Sequence, residues 1–283
     1  MNDSVQTTHP IVPDGKFSSI EDLALYLIHR KAYEHAAHEF AGSSVLDWGC
    51  NSGYGLDILQ RTAARAAGLD SSQAAVSEAR SRLPEIAEHI RLYDGKTPPF
   101  ERSSFDAVTS FQVIEHVACY DAYFAGIAHV LKPTGCAMFT TPNRIHRLLP
   151  GMKPWNPYHV TEFSPSELES LLRRHFRTVR VFGLSGDATI EDIEKRRCQR
   201  ALNAACRREP GAMPLLRNLV RLVLPAAFAA GLGRFRTHLP SDNERRFLAN
   251  LSTAQLQYVD RGIEDAVDLM AICHNPVEGE ALS

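Results

Sequence analysis

Apolar positions along this chain follow two periods in turn. From Ile20 to Ala41 they recur at helical spacing, Leu23 with Leu27 and Ala24 with Ile28, and Gly42 supplies a stop, which predicts a helix. A short apolar run through Val45 and Leu46 then ends in Asp47, and a glycine-rich turn leads into a helical segment from Leu56 to Arg65. The unit repeats. Arg65 to Asp70 reads as a second strand ending in an acid, Ile90 to Gly95 as a third, Ser104 to Ser110 as a fourth. Val130 to Gly135 reads as a helix end and turn, and Cys136 to Thr140 as the fifth strand. Ser164, Pro165 and Glu167 form a capping box opening a helix to His175, and Thr178 to Phe182 is a sixth strand. Ala266 to Cys273 is the late apolar run with strand character and is taken as the seventh, with Tyr258 to Ile263 either paired beside it or bent. Alternating strands and helices predict an α/β protein with a mostly parallel seven-stranded sheet and helices on both faces.

The densest information lies in Ser43-Ser44-Val45-Leu46-Asp47-Trp48-Gly49-Cys50-Asn51-Ser52-Gly53-Tyr54-Gly55. A strand feeding a tight loop and a helix start is where such sheets bind ligands. Gly49 and Gly53 let backbone approach a ligand closely, and Asn51 is the non-glycine residue that best tolerates a positive φ. The glycines at 49, 53 and 55 do not fit the G-x-G-x-x-G of dinucleotide sites, and an acid before them suits an ammonium rather than a pyrophosphate. Roughly 20 residues on stands Asp70, the spacing of a carboxylate that takes two ribose hydroxyls.

The loop resembles the first motif of class I S-adenosylmethionine-dependent methyltransferases, and the later strands follow that family in order. The resemblance covers Ile20 to Phe182 and the final strand. It implies a Rossmann-like fold and S-adenosyl-L-methionine as cofactor. Asp47 would face the cofactor's amino group directly or through water, with Gly49, Asn51 and Gly53 wrapping its methionine part. Asp70 and Ser71 would hold the ribose, Asp94 and Gly95 the adenine, and Phe111 would line the methyl pocket. Tyr33, on the preceding helix, would reach the cofactor carboxylate or else belong to the core.

Methyl transfer from a sulfonium needs a positioned nucleophile and, for a hydroxyl acceptor, a base that titrates near neutrality. In Phe111-Gln112-Val113-Ile114-Glu115-His116, His116 is the candidate base and Glu115 its orienting group; the alternative is that both merely cap the next helix. After the fifth strand comes a loop rich in proline, long enough to roof an acceptor pocket and to set His159 facing His116. This layout resembles the ubiquinone-pathway O-methyltransferases and, as an alternative, the small-RNA 3′-terminal 2′-O-methyltransferases, where a Glu-x-x-Glu-His run and a later His bind a divalent metal. Gln112 replaces the first Glu here and is a poor ligand, so no metal is expected; Glu115, His116 and His159 are the set that would hold one.

Composition narrows the surroundings. The 283 residues are 44% hydrophobic and 23% charged with net charge -2, an ordinary globular chain with no global attraction to nucleic acid. Six cysteines show no zinc spacing, which with the absence of a signal-peptide layout in Met1 to Lys16 or a long uncharged apolar run leads to an expected cytoplasmic location. Residues 1–17 read as a flexible tail, 18–186 with 258–276 as the catalytic domain, and 187–257 as a basic helical insertion. Between Lys195 and Arg236 ten basic residues are opposed by Glu209 alone. Three readings of that insertion stand: a helical cap with solvated arginines, a lid or docking surface for an anionic acceptor such as a phosphorylated or lipid-linked sugar, and a peripheral membrane contact through 213–236. The function expected is O-methylation of a small metabolite or sugar, with nucleic acid not expected because no aromatic stripe accompanies the arginines. A nicotinamide-dependent oxidoreductase and a non-catalytic methyltransferase-like binding subunit are the competing classes.

Overall fold

The computed structural model describes residues 17, 19–186, 188–208 and 251–277. Strands β1 (Ser44–Trp48), β2 (Arg65–Asp70), β3 (Ile90–Leu92), β4 (Phe105–Phe111), β5 (Leu131–Pro142), β6 (Phe176–Gly186), β7 (Leu256–Val259) and β8 (Asp268–Pro276) form one sheet in the order β3-β2-β1-β4-β5-β8-β6-β7. β1 to β5 run parallel, β8 inserts antiparallel between β5 and β6, and β7 closes the far edge antiparallel to β6. The chain winds outward from β1 to β3, then crosses back to β4 and outward the other way. The strand order therefore reverses between β1 and β4, and their carboxyl ends mark the place where open α/β sheets bind ligands.

Period-2 alternation decides which helix each strand residue meets. Leu46, Val108, Ala137 and Phe139 face one side and bury against Tyr123, Phe124 and Ile127 of α4 (Tyr120–Val130) and Leu168 and Leu172 of α5 (Pro165–Leu172). Val45, Ala107 and Met138 face the other, against Ala32, Tyr33 and Ala36 of α1 (Ile20–Glu39) and Leu59 of α2 (Tyr54–Gln60). α3 (Gln73–Arg82) covers β2 and β3 through Val76 and Ala79. The expected capping box is present: Ser164 N–H and hydroxyl donate to Glu167, with Pro165 at the first turn.

The seven strands expected are eight. β6 continues past Phe182 to Gly186 because Leu184 and Leu256 bury together against Leu23 and Leu27 of α1, and β7 pairs with this extension. Tyr258 thus lies opposite Leu184 of β6, not beside the last strand, and Leu256 and Gln257, which the sequence placed in the insertion, belong to the sheet. β3 stops at Leu92 instead of Gly95. β5 starts at Leu131, its pairing to β4 jumping from Leu131 to Cys136, so the expected turn is absorbed as an irregular strand start. β8 runs from Asp268 to Pro276, shifted along from the expected 266–273.

The insertion begins as a helix, α6 (Ala188–Arg208), seated on α1 by Ile190 in the apolar cluster and by an ion pair between Arg200 and Glu21. The rest of the basic stretch, including the proposed membrane contact 213–236, lies outside the described residues. Among the described residues no helix is long and apolar enough to cross a membrane. All six cysteines are free thiols.

Candidate functional site

The glycine loop is bent by its own backbone. Gly49, Asn51 and Gly53 all take positive φ (+88°, +47° and +80°), the conformation that glycine and asparagine adopt most readily. Gly49 has a second constraint, since a Cβ there would run into Cγ2 of Val113. The turned loop aims Gly49 N–H and Cys50 N–H at the Leu69 carbonyl (2.7 and 3.0 Å) and Asn51 N–H at Asp70 Oδ2 (2.9 Å). Ser72 N–H donates to Asp70 Oδ1 (2.8 Å), so the β2-tip carboxylate ties the loop to the start of α3. Burial raises the Asp70 carboxyl above its ordinary range, and those N–H donors oppose the rise. Ser71 beside it is exposed. Asp94, two residues past the end of β3, is also exposed, accepts Lys96 N–H (2.9 Å), and precedes Gly95 at φ +82°.

Asp47 is held differently. It is 0% exposed, under the loop, and takes hydroxyl donors from Thr109 (2.9 Å) and Tyr33 (3.2 Å). Burial pushes its carboxyl up to about 7 against those two donors, with the Asp70 charge adding to the rise. Tyr33 does not project to the surface: it is 3% exposed, its ring lies edge-on to Tyr54 and Phe111, and it fills the space that keeps residue 55 a glycine. Its hydroxyl thus serves Asp47 in this structure. Phe111, at the tip of β4, is 6% exposed and part of the same aromatic packing.

The second half of the site lies across the tips of β4, β5 and β8. After β4 the chain turns through Gln112 at φ +57° into a single 3-10 turn, Ile114–His116. The loop after β5 folds back on that turn, with Val160 N–H and Thr161 N–H donating to the Glu115 carbonyl (2.7 and 3.2 Å). Asn143 anchors the loop's start by donating to the carbonyls of Ile263, Glu264 and Ala266. The result brings His116 and His159 face to edge, ring centres 4.8 Å apart at 88°. Glu115, 1% exposed, joins them and receives the Thr141 hydroxyl (3.1 Å). One ligand-capable atom from each of Glu115, His116 and His159 lies within 4.8 Å of the others.

Both imidazoles have a partner at Nδ1: His116 the Tyr158 carbonyl (2.8 Å), His159 the Glu162 carboxylate (2.8 Å). A carbonyl and a carboxylate only accept, so each ring places a hydrogen on Nδ1, and in the neutral ring Nε2 is then the accepting nitrogen. The cluster therefore brings together two imidazoles and a carboxylate, with the Thr141 hydroxyl turned to Glu115.

Sequence reasoning missed the groups that support this half. Glu162 also takes Arg147 Nε (2.9 Å), and both side chains are almost wholly buried, at 0% and 4% exposure. Burial would raise the Glu162 carboxyl, but His159 and Arg147 hold it below its ordinary range. Arg147 stacks on Trp155 (4.3 Å), whose other neighbour is Arg197 of α6, paired in turn with Glu194 (2.6 Å). Asp268, the first residue of β8, is buried and accepts Gln112 Nε2 (3.0 Å); burial pushes its carboxyl well up. Gln112 thus braces the floor of the site. The one available signal was Glu162 itself, three residues after His159 in an irregular loop, where no periodicity marks it.

A family model described as a methyltransferase domain matches residues 21–175. A probable S-adenosylmethionine-dependent methyltransferase of Mycolicibacterium smegmatis is 31% identical over 250 residues, 88% of this chain and 88% of that protein. A ubiquinone biosynthesis O-methyltransferase of Nitrosococcus oceani is 29% identical over 178 residues, 57% of this chain and 73% of the other. Among solved structures, a SAM-dependent methyltransferase from Thermotoga maritima, named as a possible histamine N-methyltransferase, superimposes with a TM-score of 0.52 at 14% identity, covering 89% of this chain and 93% of that one. That likeness is one of fold.

Proposed function

The chain belongs to the S-adenosylmethionine-dependent methyltransferases, and from that membership we propose that it methylates a hydroxyl oxygen on a small metabolite or sugar. S-adenosylmethionine is the cofactor, and the oxidoreductase reading falls with the membership. In this proposal Asp70 and Ser71 take the ribose hydroxyls and Asp94 with Gly95 meets the adenine. The Gly49–Gly53 backbone wraps the methionine part, and Phe111 lines the methyl pocket. Asp47, with no exposed surface, serves the ammonium by its charge from beneath the loop.

The observation that carries the oxygen assignment is the cluster of Glu115, His116 and His159. Three groups able to accept suit an incoming O–H, and the likeness to a relative named as a ubiquinone biosynthesis O-methyltransferase favours oxygen over nitrogen. Bound there, S-adenosylmethionine would supply an electrophilic methyl group to the acceptor oxygen and would leave as S-adenosylhomocysteine with the electrons of the broken carbon–sulfur bond. The hydroxyl proton passes to His116 Nε2, with Glu115 and His159 directing the hydroxyl. Arg147 and Arg197 are committed to Glu162 and Glu194, so neither is offered to an anionic part of the acceptor.

Incubating the protein with cell extract and deuterated-methyl cofactor, then locating the label by mass spectrometry and NMR, tests the reading. A methyl ether or ester supports it, whereas label on nitrogen or carbon overturns the oxygen assignment. Cofactor binding with no labelled product in any extract favours the non-catalytic alternative.

The same geometry supports a second reading, in which Glu115, His116 and His159 hold a divalent cation that polarises the acceptor hydroxyl. Turnover abolished by a chelator and restored by the cation would favour it over His116 acting as a free base. The RNA form of that reading gains nothing from Gln112, whose amide is engaged by Thr140 and Asp268.

A further inference from the structure

We propose that Glu162 is a positioning residue that selects the tautomer of His159, and that Arg147 and α6 hold Glu162 ready for that purpose. The proposal rests on the placement of His159 at the acceptor pocket. The two histidines meet at a right angle, yet they are fixed by different means. His116 is oriented by a backbone carbonyl, which any sequence would supply once the loop has folded. His159 is oriented by a side chain, and that side chain is buried in a chain of charges. Glu162 gives Oε1 to His159 and Oε2 to Arg147, a bidentate use that fixes the carboxylate plane. Arg147 is in turn stacked on Trp155, whose Nε1 donates to the Arg147 carbonyl (3.1 Å), and Arg197 closes the other side with Glu194.

A buried carboxylate beside an arginine stays ionised, and an ionised carboxylate can only accept. The Nδ1 of His159 must therefore bear the hydrogen, and in the neutral ring Nε2 is left as the accepting nitrogen. Without Glu162, nothing described around His159 forbids the Nε2–H tautomer, which would put a donor where the acceptor's hydroxyl has to enter. The arrangement has the logic of the outer groups that fix the ring of a working histidine. Arg147 also explains why the device sits in the protein interior: a lone Glu162 there would pick up a proton and lose its selectivity.

The test is a long-range proton–nitrogen NMR spectrum of full-length protein labelled with 15N-histidine, at pH 8, with no acceptor added, so that it reads the tautomer separately from methyl transfer. In the intact protein His159 should show hydrogen on Nδ1 and a bare Nε2. Two double variants keep the buried charge balanced, Arg147→Met with Glu162→Gln and Arg147→Met with Glu162→Leu. The Gln pair offers both an accepting oxygen and a donating amide and should show Nε2–H signal beside Nδ1–H; the Leu pair should lose the Nδ1–H preference and show Nε2–H signal. An Nε2–H tautomer in the intact protein, or an undiminished Nδ1–H form in the Leu pair, overturns the proposal. If the Leu pair does not fold, the intact protein decides, because an Nε2–H tautomer there is fatal to the proposal.

Discussion

The two halves of the site are built from different materials. On the cofactor side, position is set by backbone: strand tips, three residues at positive φ, and N–H groups aimed at Leu69 and Asp70. On the acceptor side it is set by side chains that come from β4, β5, β8, a long loop and α6, locked by buried ion pairs. Backbone positioning needs only short sequence spans, whereas side-chain convergence needs the whole fold. Substitutions should sort accordingly, with cofactor-side changes read in affinity and acceptor-side changes in turnover or stability.

The largest separation is expected at His116. His116→Ala should lower turnover by roughly 10²–10⁴-fold, the usual worth of a general base. Its neighbours on the cofactor side are untouched, so S-adenosylhomocysteine affinity by calorimetry should stay within about twofold. A parallel fall in both would dissolve the division between the halves. Turnover that persists would leave positioning alone, or another base, to carry the reaction.

Arg147 comes next and reads out in stability. Arg147→Met strands Glu162 without its cation in a dry setting, and breaking one side of a buried pair costs about 3–5 kcal/mol. Adding Glu162→Gln should recover most of that loss in denaturant melts, since a neutral pair of similar shape needs no counter-charge. If the single variant loses nothing, the loop is not held by this pair, and the acceptor half is looser than its contacts indicate.

Asp70→Ala probes the cofactor side. It removes the carboxylate that would take the ribose hydroxyls and also leaves Asn51 N–H and Ser72 N–H without their acceptor. Affinity for S-adenosylhomocysteine should fall by about 100-fold, in keeping with roughly 3 kcal/mol for charged hydrogen bonds lost together. Affinity unchanged within error would place the ribose elsewhere.

What could be read from the sequence follows the same division. The loop from Asp47 to Gly53, the strand-end acid Asp70 and the α/β alternation were legible because each depends on neighbours a few residues away. The capping box at Ser164 was legible for the same reason. His159 was placed opposite His116 from the length of the loop, and the fold does bring the two rings together. Arg147, Glu162, Asp268 and the continuation of β6 to Gly186 were not legible. Arg147 and Glu162 meet across a loop without periodicity, and Asp268 meets Gln112 across most of the chain. β7 escaped because its four residues are called into the sheet by Leu184 and α1, not by their own pattern. Tyr33 shows a subtler limit: its helix was correctly placed, but whether its hydroxyl faces ligand or Asp47 depends on how closely α1 meets α2 at Gly55.

The smallest expected effect is also the one that joins a buried group to the cofactor. Asp47 has its folded carboxyl near 7, above the ordinary value of 3.8. An acid whose folded value is raised favours the folded state only while protonated. Its contribution is complete below pH ~4 and is lost as pH rises through 7. Asp47→Asn keeps an oxygen for Thr109 and Tyr33 but has no proton to lose. The cofactor-free variant should therefore match the native protein in melting temperature near pH 4, and stand about 4 °C above it at pH 8, a gap on the order of 1–2 kcal/mol at this chain length. Saturating S-adenosylhomocysteine should narrow that gap, because its ammonium supplies the cation that the ionised Asp47 lacks. The same measurement locates the charge: a gap that is flat with pH means Asp47 stays ionised on burial, and a gap the ligand leaves unchanged means the ammonium lies out of its reach.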